Sequence, residues 1–181
     1  MSPHLHRTVV VGTSCSGKTS YAKRLSELLD FPHVELDALH WNPNWIEKPV
    51  DEFRALVSSA VAADRWIVDG NYGTVRDLVW PRATSVIWLN YGFPLVMTRA
   101  IRRTIWRAVS GQELYSGNKE SIRMAFLSRD SMLLWVVTTH RKRRRRYEHL
   151  RTSNAYPHLQ WFEFKTTVQA DRFLKSLGQN H

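Results

Sequence analysis

The sequence predicts a parallel three-layer α/β fold, and three observations carry that reading. Short apolar runs alternate with longer segments of helical periodicity along the whole chain, the order that builds βαβ units. Residues 8–11 lead straight into a turn framed by Gly12 and Gly17, and an amphipathic stretch follows at once. The length of 181 residues, with 43% hydrophobic content and no repeat or linker, fits one domain over 1–181 with a good core.

The first strand is the β-branched run Thr8-Val-Val-Val11. Gly12, Thr13, Ser14, Cys15, Ser16, Gly17, Lys18 and Thr19 then match the phosphate-binding P-loop, GxxxxGK[ST], without departure, and Ser20 continues it. A glycine-framed turn aims several backbone N–H groups at one point, and a helix N-terminus adds its positive end there. Lys18 would reach the outer phosphates of ATP, and the Thr19 hydroxyl would sit on Mg²⁺. Tyr21, Ala22, Leu25, Leu28 and Leu29 recur at helical spacing, which makes 18–29 the first helix. The lone cysteine, Cys15, has two readings: a small loop filler, or a thiol acidified by loop amides and Lys18.

Phe31-Pro32 turns the chain, and 33–36 reads as a second strand ending at Asp37. Parallel sheets bind ligands beyond the carboxyl ends of their strands, so Asp37 is placed on the side of the P-loop. It serves there either as a functional carboxylate or as a cap. The stretch 38–45, with Trp41, Trp45, two asparagines and a proline, reads as a loop. In it His40 either touches an acceptor or makes a loop hydrogen bond. Residues 50–63 suit a helix with Phe53, Leu56, Val57, Ala60 and Val61 inside. A third strand, 66–68, ends at Asp69 before Gly70, Asn71 and Tyr72. A hydrophobic run closed by an acid has the Walker B form, whose carboxylate holds Mg²⁺, although Asp69 could also simply open a turn.

Residues 85–89 form the fourth strand, and Pro94 suits the first turn of a helix to about 109. Arg99, Arg102, Arg103 and Arg107 take one side of it, with Met97, Ala100, Ile101, Ile105 and Ala108 toward the core. Polar residues 110–120 read as a mobile loop. Helical character resumes over 121–146, with Ile122, Phe126, Leu133 and Val137 on one face, and closes in Arg141-Lys-Arg-Arg-Arg-Arg146. A fifth strand (158–164) and a helix (171–177) complete the chain. Trp80, Trp88, Trp106 and Trp161 are expected in the core or at its margin.

The net charge of +10 is placed unevenly. Residues 99–151 hold 14 Lys/Arg against 4 Asp/Glu, and the remainder 12 against 12, so the whole excess lies in that one segment. A single cysteine excludes an internal disulfide framework and fits a reducing cytoplasm. No secretory signal opens the chain, and its longest apolar stretch is too interrupted to span a bilayer. The eight histidines lack metal-ligand spacing, so no zinc site is proposed.

The P-loop, the Asp37 and Asp69 strand ends and the arginine-bearing helix resemble the nucleoside monophosphate kinase-like P-loop proteins, among them adenylate, shikimate and gluconate kinases. Leu36-Asp-Ala-Leu-His-Trp41 with Trp45, and Trp66-Ile-Val-Asp-Gly-Asn-Tyr72, are similar to the family of topology-modulation proteins. The resemblance covers roughly 8–164. It implies a five-stranded parallel sheet in the order 2-3-1-4-5, an acceptor-binding segment at about 38–64 and a lid at about 108–130. It further implies that Asp37, Trp41, Trp45 and the Gly70-Asn71-Tyr72 motif face the acceptor. Arg103 and Arg107 would be lid-base arginines on the nucleotide phosphates, Arg123 and Arg129 lid-return arginines, and Lys165 and Thr166 a wall for the base. Adenylate kinases show Asp-Gly-aromatic-Pro-Arg where this chain has Asp69-Gly-Asn-Tyr72, which points away from AMP as acceptor.

The function expected is an ATP-dependent small-molecule kinase. Lys18 and the loop amides would grip the phosphates, Thr19 and Asp69 would manage Mg²⁺, and lid-region arginines would exclude water. Asp37 would orient an acceptor hydroxyl or act as its base. The rival class is a nucleic-acid-associated ATPase using Arg141 to Arg146, a run read first as a solvated helix end. Oligomeric state has no signature in the sequence.

Overall fold

A computed structural model describes residues 4–110 and 132–179. Strands β1 (Arg7–Gly12), β2 (His33–Glu35), β5 (Trp66–Asp69), β6 (Ser85–Leu89) and β7 (Gln160–Phe164) form one parallel sheet, ordered β2–β5–β1–β6–β7. Counted among themselves, the five run second, third, first, fourth, fifth. The numbers in between belong to β3 (Trp41–Asn42) and β4 (Ile46–Glu47), a separate antiparallel hairpin. The helices are α1 (Lys18–Leu29), α2 (Leu36–His40), α3 (Val50–Ala60), α4 (Arg76–Val79), α5 (Phe93–Ser110), α6 (Met132–Thr152) and α7 (Thr167–Gly178).

Period-two alternation sends each strand's side chains to two cores. Val10, Ile67, Ile87 and Leu89 pack with Tyr21 and Leu25 of α1, Val96 and Ala100 of α5, and Leu174 of α7. Val9, Val11, Val68, Val86 and Trp88 pack with Phe53 and Val57 of α3, and with Val79, Trp80 and Tyr147. These are the two faces of a three-layer fold, and they hold β1, the strand feeding the P-loop, at the centre of the sheet.

Several elements differ from expectation. Strand β2 ends at Glu35, and Asp37 lies in the first turn of α2. The reason is the neighbour: Glu35 pairs with Asp69, after which the partner chain turns away at Gly70 (φ 144°), so no ladder remains to extend. The stretch 38–45 is not an open loop. It carries the end of α2, then the β3–β4 hairpin, whose turn places Asn44 and Trp45 at φ 63° and 56°.

On α5 the core stripe is Val96, Ala100 and Thr104, whereas Ile101, Ile105 and Trp106 are 40%, 50% and 67% exposed. The small side chains at 100 and 104 let the helix lie close to the sheet, and the expected apolar face is rotated outward. On α6, Val136, His140 and Tyr147 are buried and Val137 is half exposed at 51%, so the inner face is one residue out of phase with the apolar pattern. Ser110 closes α5, and the rest of the expected 110–120 loop, Ile122 and Phe126 fall outside the described residues. Helix α7 begins four residues earlier than expected, behind a capping box: Thr166 Oγ accepts from the Gln169 N–H, and the Gln169 side chain accepts from the Thr166 N–H.

Candidate active site

The P-loop joins β1 to α1. Gly12 is enclosed, since a Cβ there would meet Ser16 Oγ at 2.6 Å and the Leu89 carbonyl oxygen at 3.0 Å. Cys15 and Gly17 hold positive φ (64° and 88°), so the chain doubles back before the helix. The Ser16 N–H donates to the Thr13 carbonyl (3.1 Å). Gly17 caps α1 without a side-chain hydrogen bond, which leaves the first-turn amides and the positive end of the helix for an anion. Thr13, Cys15 and Ser16 are buried, Ser14, Lys18 and Thr19 half-buried, and Ser20 exposed. Ser16 Oγ is buried with no hydrogen-bond partner among the described residues.

Asp69 is 1% exposed at the end of β5. Thr19 Oγ1 donates to its Oδ2 at 2.6 Å, and His33 Nε2 lies 3.1 Å from its Oδ1. The two residues expected at the metal are therefore in hydrogen-bond contact, although 50 residues separate them in sequence. A hydroxyl beside a carboxylate, under a ring of amides, is the hard-oxygen donor set that suits Mg²⁺ held with triphosphate. Beside it opens a cavity of about 530 Å³ lined by the P-loop and α1, by Tyr91, Arg99 and Arg103, and by Thr167, Ala170 and Asp171 of α7.

Arg103, expected as a lid-base arginine, lines this cavity beside the P-loop. Arg107 lies on α5, with its side chain outside the described residues, as are Arg123 and Arg129 entirely. Arg99 was not among the expected site residues. Its Nη1 donates to the Ser16 carbonyl at 2.6 Å while its guanidinium stacks over Tyr91 at 5.4 Å. The signal was present, because Arg99 precedes Arg103 by one turn on the arginine side. Thr166, expected with Lys165 as a wall for the base, caps α7, and on this side the cavity is lined by Thr167, Ala170 and Asp171, one to five positions further on.

The residues expected to face an acceptor gather at the same end of the sheet. Tyr72 donates its hydroxyl to Asp37 Oδ1 at 2.6 Å, joining the α2 acid to the loop after β5. Asn71 Nδ2 donates to the Gly12 carbonyl (2.7 Å), and its Oδ1 accepts from the Tyr147 hydroxyl (2.7 Å), so one amide links the P-loop to α6. Gly70 is required by its conformation and by Leu36, whose Cβ would lie 2.7 Å from a Cβ at that position. The His40 ring packs within 4.9 Å of Trp41, Phe53 and Tyr72, and Trp41 meets Trp45 edge-on at 5.6 Å.

Helix α6 lays one side chain per turn across three strand ends. His140 Nε2 is 3.1 Å from the Tyr91 carbonyl beyond β6, Arg143 Nη1 donates to Ser14 Oγ (3.2 Å) beyond β1, and Tyr147 reaches Asn71 beyond β5. The basic run is therefore divided. Arg143 is half-buried over the site, with Trp135 beneath its guanidinium at 5.5 Å, while Arg141, Lys142, Arg144, Arg145 and Arg146 are exposed. Burial holds the Arg143 guanidinium below its ordinary pKa and pushes the Tyr147 phenol above its own.

Together the parallel sheet, the P-loop and the carboxylates beyond the strand ends define an α/β protein of the P-loop kinase fold. Among solved structures the chain is similar to a gluconokinase from Sinorhizobium meliloti 1021 (TM-score 0.52, 16% identity, 99% of this chain and 97% of that one). It is also similar to a shikimate kinase from Bacteroides thetaiotaomicron (TM-score 0.54, 13% identity, 96% and 97%). At such identities the likeness establishes the fold. No protein-family model and no curated protein matches the sequence. Among the described residues no helix is long and apolar enough to cross a membrane.

Proposed function

We propose that the chain is an ATP-dependent phosphotransferase that moves the γ-phosphate onto a small-molecule acceptor. The observation that carries this reading is the convergence at one sheet end of an intact P-loop, the Thr19–Asp69 pair and the Tyr72-bound Asp37. Phosphoryl transfer asks the protein for positioning and charge neutralisation more than for covalent chemistry. The loop amides and Lys18 bind the outer phosphates, and Arg99 and Arg103 flank them. Thr19 and Asp69 would hold Mg²⁺, which when bound supplies neutralisation of the charge spreading over the transferring group. Asp37 orients the acceptor hydroxyl, and the hydrogen bond from Tyr72 fixes its carboxylate. The Trp-bearing motifs support membership of the topology-modulation family, and the single cysteine a cytoplasmic setting.

The test is product analysis with Mg-ATP and a panel of nucleotides, sugar acids and polyols. Transfer of phosphate to an acceptor is expected, with kcat/KM reduced at least about a hundredfold in Lys18→Ala, in line with loss of a charge-stabilising contact. Release of free phosphate alone across the panel, or turnover indifferent to Lys18→Ala, overturns the reading.

A further inference from the structure

Asp69 is withdrawn from water, and among the described residues no lysine or arginine is paired with it. Other acids of this protein do meet an arginine: Asp77 pairs with Arg54, Asp171 with Arg24, and Glu163 with Arg151. A buried carboxylate is costly unless its oxygens are bonded, and at Asp69 two different side chains divide them. Thr19 takes Oδ2, and His33 Nε2 lies 3.1 Å from Oδ1 with 18% of the imidazole side chain exposed. An ionised carboxylate only accepts, so this bond places a proton on Nε2. The histidine comes from a neighbouring strand. His33 opens β2, where it pairs with Ile67 while Glu35 pairs with Asp69, so His33 and Asp69 share one face of the sheet. The Ile67 N–H donates to the Pro32 carbonyl at 2.8 Å and fixes the backbone just before it. The imidazole is thus anchored by the sheet and stands apart from the P-loop.

We propose that His33 is a positioning residue for the metal: by holding Oδ1 of Asp69 it presents Oδ2, the oxygen shared with Thr19, to the cation that accompanies the triphosphate. The proposal rests on the phosphotransferase reading and adds a residue to it. An outer N–H that orients a ligand carboxylate is worth about 10–100-fold in metal affinity. An uncharged imidazole orients the carboxylate without cancelling the negative charge that draws the cation, as a lysine or arginine at the same place would. Engaging one oxygen also sets the choice of ion. Mg²⁺ takes few carboxylate oxygens and keeps strict octahedral geometry, whereas Ca²⁺ readily accepts both oxygens of one carboxylate.

The experiment measures how much Mg²⁺ strengthens the binding of a fluorescent, non-hydrolysable ATP analogue, as the ratio of affinities in Mg²⁺ and in EDTA. His33→Leu, which removes the donor, is expected to lower that ratio by about tenfold or more while affinity in EDTA is unchanged. His33→Gln, whose side-chain amide still donates, is expected to restore most of the ratio. With Ca²⁺ in place of Mg²⁺ the loss in His33→Leu should be smaller. A packing defect would instead weaken binding in Mg²⁺ and EDTA alike. A ratio unchanged in His33→Leu, a loss equal in EDTA, no recovery in His33→Gln, or a loss with Ca²⁺ as large as with Mg²⁺ overturns the proposal. Should His33→Leu fail to fold, the parent protein decides by NMR. A hydrogen-bonded Nε2–H proton of His33 is expected with Mg²⁺ and the analogue bound, and its absence overturns the proposal. A parent protein whose affinity gains nothing from Mg²⁺ brings down the metal reading of the phosphotransferase itself, and the role of His33 with it.

Discussion

Gly12 closes β1 and Gly92 precedes α5, and their surroundings give opposite expectations for a single added methyl. At Gly12 that methyl would meet a hydroxyl at 2.6 Å and a main-chain carbonyl oxygen at 3.0 Å, and the latter belongs to β6 and cannot swing aside. At Gly92 the nearest atom is 3.8 Å away, an ordinary contact. Gly12→Ala is therefore expected to cost about 1–3 kcal/mol, the range for overpacking a tight site. It should also lower nucleotide affinity at least tenfold by deforming the loop. Gly92→Ala should stay within about 0.5 kcal/mol. Urea unfolding and titration of a fluorescent nucleotide would check both, and equal effects at the two positions would refute the packing argument.

Helix α7 shows what an element's boundary asks of a residue. Thr166 and Gln169 exchange hydrogen bonds across its first turn, so Thr166→Ala is expected to destabilise the protein by about 1 kcal/mol. For a domain of this size that lowers Tm by about 2–4 °C. Nucleotide affinity should hold, and a loss of affinity in a variant that keeps its Tm would restore Thr166 to the base-binding wall. Much at this scale was legible. The P-loop, the five parallel strands and the Asp69 strand end follow from local pattern, because β-branched runs and glycine spacing encode local geometry. Less visible were features set by partners distant in sequence. Strand β2 stops where Gly70 draws its neighbour away, so Asp37 falls on a helix instead of a strand end. Helices α5 and α6 defeated the apolar pattern for a related reason. The inward faces mix polar with apolar residues, Thr104 with Val96 and Ala100 on α5 and His140 and Arg143 with Val136 on α6, while apolar residues such as Ile105 and Val137 face outward. A hydrophobic count cannot locate a face chosen for chemistry.

At the scale of the molecule, three buried phenols among the described residues couple folding to alkaline pH. Tyr21, Tyr91 and Tyr147 are 5%, 4% and 3% exposed, and burial raises the pKa of each above the ordinary 10.0. Below that value both folded and unfolded chains keep the phenolic protons, and these groups leave stability unchanged. Above it the unfolded chain releases protons that the folded chain retains, so stability declines until the folded tyrosines themselves ionise. Each contributes a slope of up to about 1.4 kcal/mol per pH unit. Urea midpoints measured from pH 9 to 11.5 should fall more gently in Tyr147→Phe than in the parent protein. Identical slopes would mean that Tyr147 ionises as freely folded as unfolded.

The stepping of α6 over three successive strand ends carries a consequence of its own. His140, Arg143 and Tyr147 each meet a different loop, and a helix turns about 100° per residue. Exchanging one side chain for another along this rod alters a single contact. Removing or adding one position between 140 and 147 rotates every later group off its mark at once, swinging outward cations toward the crevice and Tyr147 toward solvent. In this segment spacing is the inherited quantity, and sequence drift is tolerated only where it leaves the count intact.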